Sequence, residues 1–152
     1  MTTIAIDKNS VSCDLQFTHS NGMKFKGNSK CVVLEPPVAK AMFDCDKAII
    51  GACGDADSMA KAWGFLADPT MFEGKVPKIK GVEFVALTAK KEILTSANLI
   101  SWIEIVQPFY AIGSGCHIAV GAMANGADTK KAVELAAKHD VNTGMGIKTY
   151  KL

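Results

Sequence analysis

From Val11 to Thr18 the chain alternates apolar and polar residues without a break. Successive side chains of a strand point to opposite faces. Val11, Cys13, Leu15 and Phe17 therefore share one face, and Ser12, Asp14, Gln16 and Thr18 share the other. One face is expected to join a core. The other reads as a polar wall with a carboxylate, Asp14, in its middle.

The neighbouring segments fit around such a strand. Thr3 to Ile6 is apolar and β-branched, and Asp7-Lys8-Asn9-Ser10 is a turn cluster. His19-Ser20-Asn21-Gly22 breaks the alternating strand, and Lys26-Gly27-Asn28-Ser29 is a further loop signal. Lys24, Lys26 and Lys30 read as a solvated loop. A short apolar run, Lys30 to Leu34, ends at Glu35-Pro36-Pro37, because proline cannot serve a central ladder. Ala41 to Phe43 and Lys47 to Cys53 are the next strand candidates. The period then changes: Met59, Ala62, Trp63 and Leu66 recur at helical steps, with Asp55 or Asp57 as N-cap and Asp68-Pro69 as the stop.

Residues 69–80 read as loop. Val82 to Thr88, Glu92 to Thr95 and Leu99 to Ile105 read as strands, and Phe109 to Ile112 leads into Gly113-Ser114-Gly115. Cys116 to Ala124 and Lys130 to His139 are expected helices, the second capped by Asp128 or Thr129. A tight loop from Asp140 to Gly146 precedes a last strand, Ile147 to Leu152. Strands and helices in blocks, with sharp turns and no βα alternation, argue for an α+β fold. Two stacked sheets covered by helices bury the most surface.

Composition narrows the function classes. Seventeen basic against fifteen acidic residues leave +2 on 152 residues, so there is no basic footprint for nucleic acid. No apolar run approaches the ~18–20 residues of a membrane span, and the first residues lack a secretory pattern. A single domain over 1–152 in the cytoplasm is expected. The five cysteines form no C-x-x-C pair and the three histidines do not cluster, so neither a metal site nor a cofactor is implied. The cysteines read as small buried hydrophobes.

Most motifs are weak. Gly113-Ser114-Gly115 is not a nucleophile elbow, since Ile112 stands where its first glycine belongs. Asp55-Ala56-Asp57 lacks the later ligands of a calcium loop. The N-terminus is more informative. With Met1 removed, Thr2 carries both a hydroxyl and a free α-amine, whose unperturbed pKa of about 7.7–8.0 suits a base near neutral pH. Such a nucleophile needs a cation, a carboxylate to hold that cation, and N–H donors for the oxyanion. Lys30, Asp14 and the backbone around Gly51 are candidates.

Six stretches in this order make the chain resemble the β-type subunits of the proteasome and the bacterial HslV peptidase, which are N-terminal nucleophile hydrolases. They are Thr2-Thr3-Ile4, Asp14-x-Gln16-x-Thr18, Gly27-Asn28-Ser29-Lys30, Ile50 to Ala56, Ala111 to Gly115, and Ala132 to Ala136 with Asp140-x-x-Thr143-Gly144. The resemblance implies a four-layer αββα sandwich, shortened in its first helical layer and at the C-terminus. It implies Thr2 as nucleophile, Asp14 and Lys30 tuning it, and the Gly51 amide at the oxyanion. Ser114, Asp140 and Thr143 fall on positions that support the N-terminus, Thr18 on one that binds substrate backbone, and Ala52, Cys53 and Met145 on candidate pocket walls. It further implies polypeptide substrates, a homo-oligomeric ring and an ATP-dependent unfoldase partner.

Two points stay open at this level. Counting from Asp14 puts Lys30 at the family's lysine, whereas aligning on Gly27-Asn28 puts Cys31 there; Lys30 is favoured because other members carry one lysine before an apolar strand. A catalytically silent subunit with a scaffold or assembly role is the alternative to a threonine-type endopeptidase, and an amidase acting on small substrates is a third reading.

Overall fold

The computed structural model describes residues 2–18 and 21–152. Met1, and the His19 and Ser20 of the expected break, lie outside the described residues.

Eleven strands and four helices follow one another among the described residues. The first strands are β1 (Thr3–Asp7), β2 (Ser10–Asp14), β3 (Gln16–Thr18), β4 (Lys24–Lys26) and β5 (Cys31–Leu34). Then come α1 (Val38–Phe43), β6 (Ala48–Gly54), α2 (Ala56–Ala67) and a 3-10 turn, Pro69–Phe72. The second half contains β7 (Val82–Thr88), β8 (Ile93–Ser96), β9 (Ile103–Glu104) and β10 (Phe109–Gly113). It continues with α3 (Cys116–Ala124), α4 (Thr129–His139) and β11 (Ile147–Lys151).

Two antiparallel sheets face each other. One has the order β10-β1-β2-β11 and the other β5-β6-β7-β8-β9, while β3 and β4 form a separate ribbon. Ile4, Ile6, Val11, Cys13 and Ile112 of the first sheet meet Cys31, Ile49, Val85, Leu87 and Ile93 of the second. Each fully buried large aliphatic side chain there contributes about 1.5–3 kcal/mol. On the outer face of the first sheet, Ala5 and Ala111 pack against Ala119, Met123, Ala132 and Val133 of α3 and α4. On the outer face of the second, Ile50, Ala52, Phe84 and Ala86 pack against Ala39 and Phe43 of α1 and Met59, Ala62 and Leu66 of α2. The order is helix, sheet, sheet, helix: the four-layer αββα sandwich that the resemblance implied.

The helix starts are chemically ordinary. Asp55 caps α2 by accepting the Ser58 amide at 2.8 Å, and Asp128 caps α4 by accepting the Lys131 amide at 2.7 Å. Four of the five cysteines are buried and all five are free thiols, as expected for small hydrophobes.

Several expectations are corrected. Ala41 to Phe43 is not a strand but the end of α1. Its six residues are too few to show helical periodicity, and the prolines before it suit a helix start. Only Ile103–Glu104 of the expected strand from Leu99 is extended; Leu99 itself has φ of 65°. The alternating run is two strands, because the Leu15 amide turns away to the carbonyls of Gly144 (3.1 Å) and Gly146 (3.0 Å). Its polar wall is also not a solvent face. Ser12 and Asp14 are fully buried, covered by α4 and by the loop before β11. Lys30 is buried too, whereas Lys24 and Lys26 are exposed on β4.

Candidate active site

Thr2 enters the fold one residue before β1 and is 2% exposed. Its hydroxyl bonds Asp14 Oδ1 and receives a hydrogen bond from Lys30 Nζ. Lys30 is placed by its backbone: its carbonyl accepts the Ala52 amide at 3.1 Å, which fixes the residue at the mouth of the β5–β6 pair. From there its Nζ lies 2.8 Å from Asp14 Oδ1, with side-chain exposures of 2% for the lysine and 0% for the aspartate. The same ammonium donates to the Gln16 carbonyl and sits 5.0 Å from the centre of the Phe17 ring.

A buried ion pair persists only when its remaining polar atoms are satisfied. Asp14 meets that demand. Oδ1 also accepts the Thr3 amide at 2.9 Å, and Oδ2 accepts the Gln16 and Gly144 amides, each at 3.1 Å. Burial lowers the Lys30 pKa below its ordinary value, and the Asp14 carboxylate offsets only part of that. Cys31 takes no part in this cluster. Its thiol is buried beside Gly51 in the same core as Ile4, and a side-chain hydrogen bond with Cys13, together with burial, raises its pKa.

A second polar group braces the first two residues. The Ser114 hydroxyl lies 2.6 Å from Asp140 Oδ2 and 3.3 Å from the Thr2 carbonyl oxygen. Thr143 donates to Asp140 Oδ2 at 2.6 Å and lies 2.6 Å from the Thr3 hydroxyl. Burial pushes the Asp140 carboxyl up, but the bonds from Ser114 and Thr143 hold it below the usual carboxylate value. Gly113 and Gly115 make this approach possible. A Cβ at Gly113 (φ of +93°) would lie 2.0 Å from the Thr2 carbonyl oxygen, and one at Gly115 would lie 2.2 Å from Thr3 Oγ1.

The remaining sequence candidates separate. Gly51 lies inside the sandwich, where a Cβ would meet Cys31 Sγ at 3.1 Å and Ile4 at 3.2 Å. Ala52 faces the opposite way, into the core beneath α2. Neither residue lines the recess beside Thr2; the turn into α2 comes three residues beyond Gly51, and the strand end at Cys53 and Gly54 lines it instead. Thr18 is half-buried on β3, bonded by Gln16 Nε2 at 3.2 Å. Met145 is exposed, with φ of 59°.

A recess of about 20 Å³ adjoins Thr2, lined by Phe17, Lys30, Cys53, Gly54 and Met59. Cys53 and Gly54 also border a wider cleft of about 620 Å³ that runs past Lys80, Gly81 and Glu83. Burial pushes the Cys53 thiol up to about 12. Among the described residues no group of three His, Cys, Asp or Glu side chains is placed to hold a metal ion. Sequence reasoning missed Phe17, Gly54 and Met59. Phe17 carried only the signal of an apolar strand residue, and Met59 only that of a helix face.

No family model matches the chain, and no curated protein matches it. Solved structures do. BPH of Thiobacillus denitrificans in complex with epoxomicin is 15% identical, with a TM-score of 0.68 over 99% of this chain and 97% of that one. HslV of Trypanosoma brucei is 16% identical, with a TM-score of 0.63 over 97% of each chain. Anbu from Hyphomicrobium sp. strain MC1 is 9% identical, with a TM-score of 0.72 over 99% of this chain and 82% of that one. At these identities the likeness is one of fold, and the fold is that of HslV-type proteins.

Proposed function

We propose that this HslV-like fold, as a single domain over 1–152, works as a threonine-type endopeptidase, with Thr2 as its nucleophile once Met1 has been removed. The observation that carries the reading is the Thr2 hydroxyl bonded to both members of a buried Asp14–Lys30 pair. A structural threonine needs no ion pair, and burying one is costly. A nucleophilic threonine has a use for it.

In this reading the α-amine freed by loss of Met1 accepts the hydroxyl proton as Thr2 Oγ1 bonds to the scissile carbonyl carbon. The Lys30 ammonium, held by Asp14, favours the neutral amine and the developing alkoxide. The carbonyl electron pair moves to its oxygen, which needs an N–H donor. Ladder alternation nominates Gly54 in place of Gly51. The Ala52 amide points to β5 at Lys30, and the Asp55 amide points to Gly81 beside β7. The Gly54 amide then points to the β5 side, beyond the first residue of that strand. Collapse of the intermediate expels the amine half, which takes the proton, and water hydrolyses the resulting ester to restore Thr2. Ser114, Asp140 and Thr143 are positioning residues that hold the Thr2 carbonyl and Thr3.

Polypeptide substrates, a homo-oligomeric ring, an ATP-dependent unfoldase and a cytoplasmic location belong to the same reading. Light scattering of the purified chain tests the ring. Intact mass is expected to lack Met1, and Thr2→Ala to abolish cleavage of fluorogenic peptides. Epoxomicin, the compound bound to BPH, is expected to label Thr2; full activity in Thr2→Ala overturns the proposal. One observation favours a silent scaffold subunit instead: Thr2 is 2% exposed beside a recess of only about 20 Å³. Retained Met1 together with no labelling supports that second reading.

A further inference from the structure

Phe17 forms one wall of the recess beside Thr2. Phe17 on β3 brings its ring over the Lys30 ammonium, and the ring is seated against Gly27, where an added Cβ would lie 2.3 Å from Phe17 Cε2 and 2.4 Å from Cδ2. The Gly27 amide is tied to the Leu15 carbonyl at 2.9 Å, so the seat is fixed from both sides. Cys53 and Met59 complete the wall. About 20 Å³ of room admits a group the size of a water molecule or a methyl.

Thr2 and Gly54 both line this recess. A carbonyl held between the Thr2 hydroxyl and the Gly54 amide therefore directs the side chain on its own α-carbon toward Phe17, Cys53 and Met59. We propose that Phe17 is the specificity-determining residue of the site, a stopper that restricts the residue contributing the scissile carbonyl to glycine or alanine. This rests on the peptidase reading and adds its substrate class. Phe17 is half-buried, and its ring is the largest of the three side chains in the wall.

Two measurements on the intact chain test the stopper, one with turnover and one without. Peptides that differ only in the residue before the cleaved bond (alanine, leucine or phenylalanine) are compared for kcat/KM. The wild type is expected to favour alanine over phenylalanine at least about tenfold, within the range a pocket of this kind provides. Phe17→Ala is expected to reverse that ratio by gaining on phenylalanine. Gly27→Ala, whose Cβ would overlap the seat of the ring while leaving Phe17 in the sequence, is expected to narrow the ratio in the same direction. Independently, Cys53, which lines both the recess and the wider cleft, reports added access on the Phe17 side: its alkylation by iodoacetamide, followed by mass mapping, is expected to quicken about tenfold over the wild type in both variants. A wild type that prefers leucine or phenylalanine, or an unchanged ratio in Phe17→Ala, overturns the proposed specificity. Unchanged Cys53 labelling in both variants overturns the stopper itself. If no peptide is cut by any variant but Cys53 labelling quickens, the peptidase reading and its substrate class fall while the closure by Phe17 stands.

Discussion

Strand β2 carries two buried polar clusters at its two ends, and they differ in kind. At one end Ser10 and Ser12 bond Thr129 of α4 at 2.7 and 2.8 Å, and Ser12 also bonds Thr149 of β11 at 2.8 Å. The hydroxyls of that row are neutral; its carboxylate contact is Asp7 Oδ1, 3.3 Å from Ser10 Oγ at the partly exposed rim, where Thr149 also reaches solvent. At the other end Asp14 holds Lys30 and Thr2. Hydroxyls donate and accept among themselves, so a buried row of them needs no counter-charge. The charged end costs more to bury than a neutral one of similar shape. The first cluster ties helix to sheet; under the proposed peptidase reading, the second acts on Thr2.

The contrast can be broken by mutation, beginning with the largest effect. Asp14→Ala leaves the Lys30 ammonium unpaired in the interior, which costs about 3–5 kcal/mol and lowers Tm by on the order of 6–20 °C for a domain of this size. Asp14→Asn combined with Lys30→Met is expected to recover most of that Tm while cleaving no peptide. Recovered cleavage in the double variant would erase the distinction between the two ends. Next, Thr143→Val removes the partner of the fully buried Thr3 hydroxyl, at about 1–3 kcal/mol in urea unfolding, and slows cleavage by displacing the N-terminus.

Ser12→Ala sits at the neutral end and is expected to cost about 0.5–1.5 kcal/mol, with an unchanged rate of peptide cleavage. A lost rate there would mean that the hydroxyl row also serves the site. The smallest effect is one of pH. Burial holds the Lys30 pKa below its ordinary value of 10.5, so between the two values the unfolded chain binds more protons than the folded one. Stability tied to Lys30 therefore rises with pH: its penalty is full below the folded pKa and fades toward 10.5. Urea midpoints at pH 8 and pH 10 are expected to show the wild type gaining on Lys30→Met, and no such gain at the neutral end for Ser12→Ala relative to wild type.

The two ends of β2 also differ in how far they were legible. Alternation from Val11 marked the strand and set Asp14 on one face, because a period of two is written in neighbouring residues. That this face is buried depends on α4 and on the loop from Asp140 to Gly146, more than a hundred residues away, and no local pattern carries it. Asp14, Lys30, Ser114, Asp140 and Thr143 were reached through spaced motifs, and the fold brings them around Thr2 and Thr3. Gly51 was reached the same way and lies in the core, since a motif locates a strand end only to within a few residues, while the ladder fixes which way each amide points. Phe17 was read as core for the same reason that α1 was read as strand: short segments show composition and hide direction.

The amide of Gly144 reaches Asp14, and the carbonyls of Gly144 and Gly146 hold Leu15. The carboxylate beside Thr2 is therefore completed by a loop 130 residues further along the chain. A nascent chain halted before that loop holds Asp14 without this donor, so the cluster around Thr2 cannot close until the loop has been made.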